Sequence, residues 1–329
     1  MVNVKRNKRN AEIIAVLLFG IKERAFKMNN LPLVSTIIPT YKRSKTLMRA
    51  IDSVLDQTYR NIEVIVVDDN NPNTLYRKKV EEIMKKYEGD KRVTYIKHEK
   101  NKNGSAARNT GIRYAKGEYI CFLDDDNYFY PTKIERQVKY LLKHPEYKAA
   151  YCWLKYKDRE VTYQKKGDLT FEQLMGTNII DTNMIMMERK VALQIGGWDE
   201  RLKRNQDVAF MLRYFKMGYK IGVVKEVLAY IDLSDRSNVA NPIENEKNFD
   251  DFFKYYSDQI EECEKKIKNA RKKIYSFRYR GVLLNYIKNK NIKGGLKLYI
   301  KMMKISPILF NKYLIEGCMK KILGKELIS

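Results

Sequence analysis

Between residues 33 and 143 the chain alternates short, almost wholly apolar runs with stretches whose apolar positions recur every three or four residues. The short runs are VSTIIP (34–39), NIEVIVVDD (61–69), VTYIKH (93–98) and EYICFLD (118–124). Their length and near-continuous hydrophobicity predict strands buried on both faces. The helical period runs through SKTLMRAIDSVLDQ (44–57), opened by Ser44 as N-cap, and TLYRKKVEEIMKKY (74–87). It recurs in GSAARNTGIRYA (104–115) and from about Thr132 to Lys143. Four β–α units in succession predict an α/β fold with a mainly parallel central sheet flanked by helices.

The rhythm loosens after residue 148. AAYCWLKY (149–156) and TNMIMM (182–187) read as further apolar elements, and QDVAFMLRYFKMG (206–218) as an amphipathic helix. Beyond Asp232, SDRSNVANPIENEKN (234–248) has the composition of a turn-rich linker. From about Phe249 the chain is helical in period, with Gly294–Gly295 and Pro307 dividing it into separate helices. The expected organisation is an N-terminal amphipathic extension (1–28), an α/β domain (29–235) and a linker followed by a basic C-terminal helical region (236–329).

Charge sharpens that division. The net charge is +25, and residues 265–329 hold 18 lysines and arginines against Glu316 and Glu326. So basic a block implies an anionic partner: nucleic acid, an anionic membrane or a polyanionic substrate. Hydrophobic residues make up 44% of the chain and aromatic ones 12%, enough for a sizeable core and inconsistent with disorder. Cys121, Cys152, Cys263 and Cys318 form no CxxC pair, and His98 and His144 have no ligand spacing, so zinc and disulfide frameworks are not signalled. Free thiols fit a reducing cytoplasm. The run from Ala11 to Ile21 is too short to span a bilayer and is interrupted by Glu12; an amphipathic surface helix is the expectation there.

The chemistry concentrates at strand ends. The second strand ends in Asp68–Asp69 and the fourth in Asp124–Asp125–Asp126. In an open parallel sheet ligands bind at the carboxyl ends of the strands. A lone triple aspartate reads as an acidic turn or a helix cap. A second acidic strand end on the same sheet edge favours a site for a hard divalent cation shared with a diphosphate. No GxGxxG and no GxxxxGK[ST] occurs, so glycine-cradle phosphate binding is not signalled. Arg108 and Lys102, near the start of the third helix, are candidate phosphate contacts, with solvated surface charge as the alternative.

Together, VSTIIPTYKR (34–43), AIDSVLDQTYRNIEVIVVDDNN (50–71), NGSAARNTGIRYAKGEYICFLDDDNYFYP (103–131), GGWDE (196–200) and NQD (205–207) cover about 200 residues in a specific order. They resemble the family 2 glycosyltransferases of GT-A fold. The resemblance implies that Pro39, Thr40 and Tyr41 line the nucleotide pocket, with Tyr41 on the base, and that Asp69 hydrogen-bonds the base, commonly a uracil. It implies that Arg108 stands near the diphosphate, that Asp124 faces the ribose or the metal, and that Asp126 ligates the metal, Mn²⁺ or Mg²⁺, with Asp125 on the sugar-nucleotide side. Asn127 stands where many relatives have a further aspartate. Asp207 matches the catalytic base, in a Gln206–Asp207 pair where the family often has Glu-Asp; a plain helix cap is its structural alternative. A helix N-terminus is expected to keep its pKa low. Trp198, Asp199 and Glu200 would lie by the acceptor, unless the Gly-Gly-Trp turn simply packs on the core.

The implied reaction is a single inverting displacement: Asp207 takes a proton from the acceptor hydroxyl as a nucleoside diphosphate departs. The implied donor is a nucleotide sugar, with UDP as the expected carrier. The implied acceptor is a saccharide or polyprenyl-linked saccharide in cell-surface polysaccharide synthesis. Lys and Arg interleaved with Tyr, Leu, Ile and Met over 270–315 suit helices on an anionic membrane, and so a peripheral enzyme at the inner face of the cell membrane. A basic bundle that only covers the sheet is the alternative. A sugar nucleotidyltransferase would carry a Gly-rich loop after the first strand, where TYKRSKT has no glycine. A nucleic-acid-binding protein is suggested by charge alone and leaves the acidic clusters unexplained, so no nucleic-acid partner is expected.

Overall fold

The computed structural model describes residues 31–157, 159–232 and 241–322. The extension read at 1–28 and the start of the linker at 236–240 lie outside the described residues.

The four β–α units are present. Strands β1 (Val34–Thr40), β2 (Ile62–Asp68), β3 (Val93–Lys97) and β4 (Tyr119–Phe122) alternate with helices α1 (Leu47–Leu55), α2 (Leu75–Lys85), α3 (Gly104–Tyr114) and α4 (Lys133–Lys143). Pairing is parallel throughout this half, in the order β3-β2-β1-β4. Three helix starts differ in how they are capped. Thr74 accepts from the Arg77 amide and Asn103 from the Ala106 amide. Ser44 does not cap α1, which starts three residues later after Thr46 without a side-chain cap.

Beyond β4 the sheet becomes mixed. It continues through β8 (Ile185–Glu188), β6 (Ala149–Tyr156), β9 (Ile221–Tyr230) and β5 (Tyr128–Phe129), and β7 (Arg159–Val161) pairs with β6. β8 runs antiparallel to both β4 and β6, so it joins the parallel half to a second parallel pair, β6–β9. The strand β9 escapes the alternation pattern for a local reason. The ladder steps from Cys152↔Val224 to Trp153↔Val227, leaving the exposed Lys225 and Glu226 in a bulge that interrupts an otherwise apolar run. Short helices α5 (Thr170–Met175) and α6 (Arg189–Gln194) and the longer α7 (Gln206–Lys216) pack around this half.

Among the described residues the C-terminal region forms five helices: α8 (Pro242–Tyr255), α9 (Ser257–Lys266), α10 (Ala270–Lys288), α11 (Ile292–Ile305) and α12 (Pro307–Ile322). Helix α8 opens inside the segment read as a linker, because Asn241 accepts from the Glu244 amide and Pro242 takes the first helical position. The break before α11 falls at Asn289–Asn291, not at the glycines. Gly294 lies in the first turn of α11, where a Cβ would come within 2.3 Å of the Tyr286 ring, so it sets how closely α11 approaches α10.

Two apolar cores result. One fills the space between the sheet and its helices. The other joins Leu174, Val208 and Leu212 of α5 and α7 to Phe252, Tyr256, Ile274 and Tyr279 of the C-terminal helices. The tail is thus fastened to the helix that carries Asp207. Phe252→Ala, at a fully buried position, is expected to cost about 3–5 kcal/mol. In urea unfolding, helix content and the fluorescence of Trp153 and Trp198 should move together to lower denaturant. A tail transition separate from the tryptophan signal would show that the helices fold as an independent unit.

Candidate active site

β4 ends at Phe122, and Leu123 makes the last ladder bond, to the Ile37 carbonyl. The three aspartates therefore sit on a turn just past the strand, closed by the Asn127 amide donating to the Asp124 carbonyl. Both ways of accommodating adjacent carboxylates operate here: a turn, and cations. Arg43, from the loop after β1, lies 2.7 Å from Asp126 Oδ2 and 3.4 Å from Asp125 Oδ1. Arg108, on α3, lies 2.6 Å from Asp124 Oδ1. The Asn183 amide group also donates to Asp124 Oδ2, at 3.3 Å, and its carbonyl accepts from the Asp124 backbone.

These pairs do not cancel the strain of crowding. Burial pushes the Asp125 carboxyl up to about 6, against the pull of Thr40 and Arg43. Burial and then the neighbouring Asp124 charge push Asp126 up to about 7. Asp125 Oδ2 is buried with no hydrogen-bond partner among the described residues. The turn thus retains excess negative potential, as a site completed by a cation would. Among the described residues no three His, Cys, Asp or Glu side chains could hold a metal by themselves. The donor set fits a cation shared with a ligand's oxygens, with Asp124 and Asp126 as the protein's contribution, and does not fit a closed structural site.

The second acidic strand end does different work. Asp68 is fully buried, where it pairs with Arg77 at 3.1 Å and accepts from Tyr95 and from Asn70. It is a strut behind the sheet edge, not part of a cation site. Asp69 lines the cleft, but both its oxygens are occupied. They accept from Asn101, from the Lys102 and Asn103 amides, and meet His98 Nδ1 at 2.7 Å. Asp69 therefore fixes the loop that leads into α3 and aims Arg108. Lys102 contributes its backbone amide to that loop, and its side chain is exposed.

The cleft has a volume of about 1160 Å³. Pro39, Thr40, Tyr41, Asp69, Arg108 and all three turn aspartates line it, so the nucleotide-side residues named from sequence converge. Tyr41 stands half-exposed at the rim. Several lining residues were not legible in advance. Asp181 is one: its Oδ1 accepts from the Asn183 backbone and side chain, and burial, then the charges of Asp124 and Asp207, push it up to about 7. Lys203, Arg204, Asn245 and Asn285 are others, the last two from the C-terminal helices. No motif marks Asp181; only the fold brings it opposite the turn. Asn127 has a structural duty, accepting from the Asp232 amide and so tying the end of β9 to the turn.

On the far side, α7 begins beside the cleft. Gln206 lines it and lies 3.4 Å from Arg108, and Asp207 follows, half-buried, with Oδ1 accepting from the Val208 amide. The expectation of a lowered pKa is overturned. Burial raises the Asp207 carboxyl, outweighing the Val208 amide and the charges of Arg278 and Arg108. Arg278 comes from α10, buried, and donates to the Gln173 and Leu174 carbonyls.

The acceptor-side trio separates. Trp198 is a core residue: 1% exposed, stacked on Phe210 at 4.4 Å and edge-on to Phe122. Its ring carries the Arg108 guanidinium at 4.8 Å, a cation–π seat that holds Arg108 toward Asp124. Asp199 is also buried, held by Arg201, Arg213 and Tyr256. Burial alone would raise its carboxyl, but these donors outweigh it and hold it at about 2. Glu200 is exposed and accepts from Asn109. The Gly-Gly-Trp-Asp turn is therefore a support for Arg108 and α7. Because the folded carboxyl of Asp199 lies below its unfolded value, its stabilisation is present above about pH 4 and lost as pH falls toward 2. Asp199→Asn should cost about 2 kcal/mol at pH 7, and this deficit should shrink at pH 3 in urea melts. An equal deficit at both pH values would contradict the ionised-carboxylate role.

Comparison with known proteins agrees with this fold. The family model described as Glycosyl transferase family 2 matches residues 35–196. An uncharacterized glycosyltransferase of Methanocaldococcus jannaschii is 31% identical over 234 residues, covering 69% of this chain and 78% of that protein. The amylovoran biosynthesis glycosyltransferase AmsB of Erwinia amylovora is 29% identical over 210 residues, covering 59% of this chain and 68% of that protein. The crystal structure of S. aureus TarS residues 1–349 in complex with UDP-GlcNAc shares the fold, with a TM-score of 0.64 at 18% identity, over 86% of this chain and 84% of that one. With its α/β sheet of GT-A type and its C-terminal helices, the chain belongs to glycosyltransferase family 2 and is a glycosyltransferase.

Proposed function

We propose that this glycosyltransferase moves a sugar from a nucleoside-diphosphate sugar, with UDP as carrier, to a hydroxyl of a saccharide or lipid-linked saccharide. The observation that carries the proposal is the single cleft that holds the aspartate turn and Arg108 on one side and the start of α7 on the other. TarS has been solved with UDP-GlcNAc, which supports a uridine carrier for a chain of the same fold. The relative named for amylovoran biosynthesis supports a role in polysaccharide assembly. A nucleotide-sugar donor and the buried free thiols of Cys121, Cys152 and Cys263 favour the cytoplasmic side of the membrane.

In this reading Tyr41 and Thr40 border the nucleotide, and Arg108 meets the diphosphate from its seat on Trp198. Asp124 and Asp126 would hold Mn²⁺ or Mg²⁺, which when bound neutralises charge on the leaving diphosphate. Asp207 accepts the proton of the attacking hydroxyl. Burial raises its carboxyl, which makes it a stronger base than an exposed aspartate. Asp181, facing the same space, is placed to accept from a hydroxyl of a bound sugar.

Transfer from a panel of nucleotide sugars, with product diphosphate measured, tests this. Asp207→Asn is expected to lower kcat by about 10²–10⁴-fold with little change in donor KM. In the native chain kcat/KM should fall as pH drops through the raised Asp207 pKa, at a pH above that of an ordinary aspartate. Turnover unaffected by Asp207→Asn would remove it as the base.

A further inference from the structure

Seventeen large hydrophobic side chains are exposed on the described surface, and seven of them fall between residues 287 and 319. They are ordered. On α11, Ile292, Leu296 and Ile300 recur every four residues, opposite the buried Gly295, Leu298 and Met302. On α12, Ile308, Ile315 and Met319 lie at spacings of seven and four, so they too share one helix face. Ile292 and Ile308 are 81% and 82% exposed, the two most exposed large hydrophobics described.

Lysines run beside these stripes. Lys293 and Lys297 each follow a stripe residue on α11, Lys304 lies one turn beyond Ile300, and Lys288 and Lys290 precede the helix. None of these five makes an ion pair with a described residue, whereas Lys301, on the inner side, pairs with Glu246 and Asp250. A solvated basic bundle would place its aliphatic side chains inward and leave lysines alone outside. Here both are outside together.

We propose that the outer faces of α11 and α12 form a docking surface for an anionic phospholipid membrane, with the Ile–Leu stripe entering the headgroup–acyl boundary and the lysines meeting lipid phosphates. Charge complementarity selects this occupant. A second copy would bring like-charged lysine rows face to face, which repel. Nucleic acid would be met by aromatic stacking, yet the exposed apolar residues of these two helices are aliphatic. Helices of this kind lie in the interface plane, and no described helix is long and apolar enough to cross a membrane. The inference deepens the reading of a lipid-linked acceptor, but binding is measured without turnover, so either can fail alone.

The test is co-sedimentation of the full chain with vesicles of phosphatidylcholine alone and of phosphatidylcholine with one-third phosphatidylglycerol by composition, about 30%, at low and high salt. Binding to the anionic vesicles only, weakened by salt, is expected. Leu296→Ser with Ile300→Ser, and separately Lys293→Glu with Lys297→Glu, should each weaken it about tenfold or more. Leu75→Ser with Leu142→Ser, exposed elsewhere, should change nothing. All these positions are exposed, and an unaltered circular dichroism spectrum and thermal melt confirm folding. No binding of the native chain, or equal binding by the stripe variant, overturns the proposal. So does self-association that depends on the stripe in the absence of vesicle binding, which would assign the face to a second copy.

Discussion

The site depends on holding three adjacent carboxylates in place on the turn that follows β4. Two guanidiniums do this from opposite sides: Arg43 from the loop after β1 and Arg108 from α3. Removing one partner from a largely buried pair costs about 3–5 kcal/mol, because the other charge is left uncompensated. The pairs are therefore better understood as fixing geometry than as adding stability. Arg108 is itself positioned twice, by the Asp69-anchored loop that opens α3 and by the face of Trp198. Trp198 stacks on Phe210 of α7, one turn from Asp207. A continuous run of contacts thus links Arg108 to the first turns of α7, where Asp207 stands.

The C-terminal helices belong to that arrangement. Arg278 reaches from α10 to the carbonyls that end α5, and its charge is felt by Asp207. Gly176, in the left-handed conformation at the end of α5, is required there, since a Cβ would come within 2.6 Å of the guanidinium. Asn245, Phe249 and Asn285 line the cleft from the same helices. The region that carries most of the positive charge is in this way both a wall of the site and the bearer of an apolar outer face.

Much of this was legible from sequence where a local rule and the global fold agree. Continuous apolar runs marked β1 to β4, and the DDD turn and Asp207 stood at element ends where ligands gather. What was hidden depends on tertiary contacts. The bulge at Lys225–Glu226 concealed β9, and Asn241 with Pro242 turned an apparent linker into α8. Sequence left Trp198 and Asp199 between an acceptor site and core packing; the tertiary contacts of Arg108, Arg201 and Arg213 give that turn buried partners. Asp181 has no motif, and Asp68 is indistinguishable from Asp69 until Arg77 is placed behind it. The Asp207 pKa went the opposite way to the helix-terminus rule because burial, which sequence does not report, exceeds the dipole.

The central claim is that the aspartate turn holds a diphosphate through a cation and not merely a charged loop in place. Calorimetric titration of UDP into the chain, with and without Mn²⁺, tests it directly. The expected result is binding that strengthens markedly with Mn²⁺ in the native chain and loses that gain in Asp126→Asn. Binding of equal strength with and without the cation, or an undiminished Mn²⁺ effect in Asp126→Asn, would contradict it.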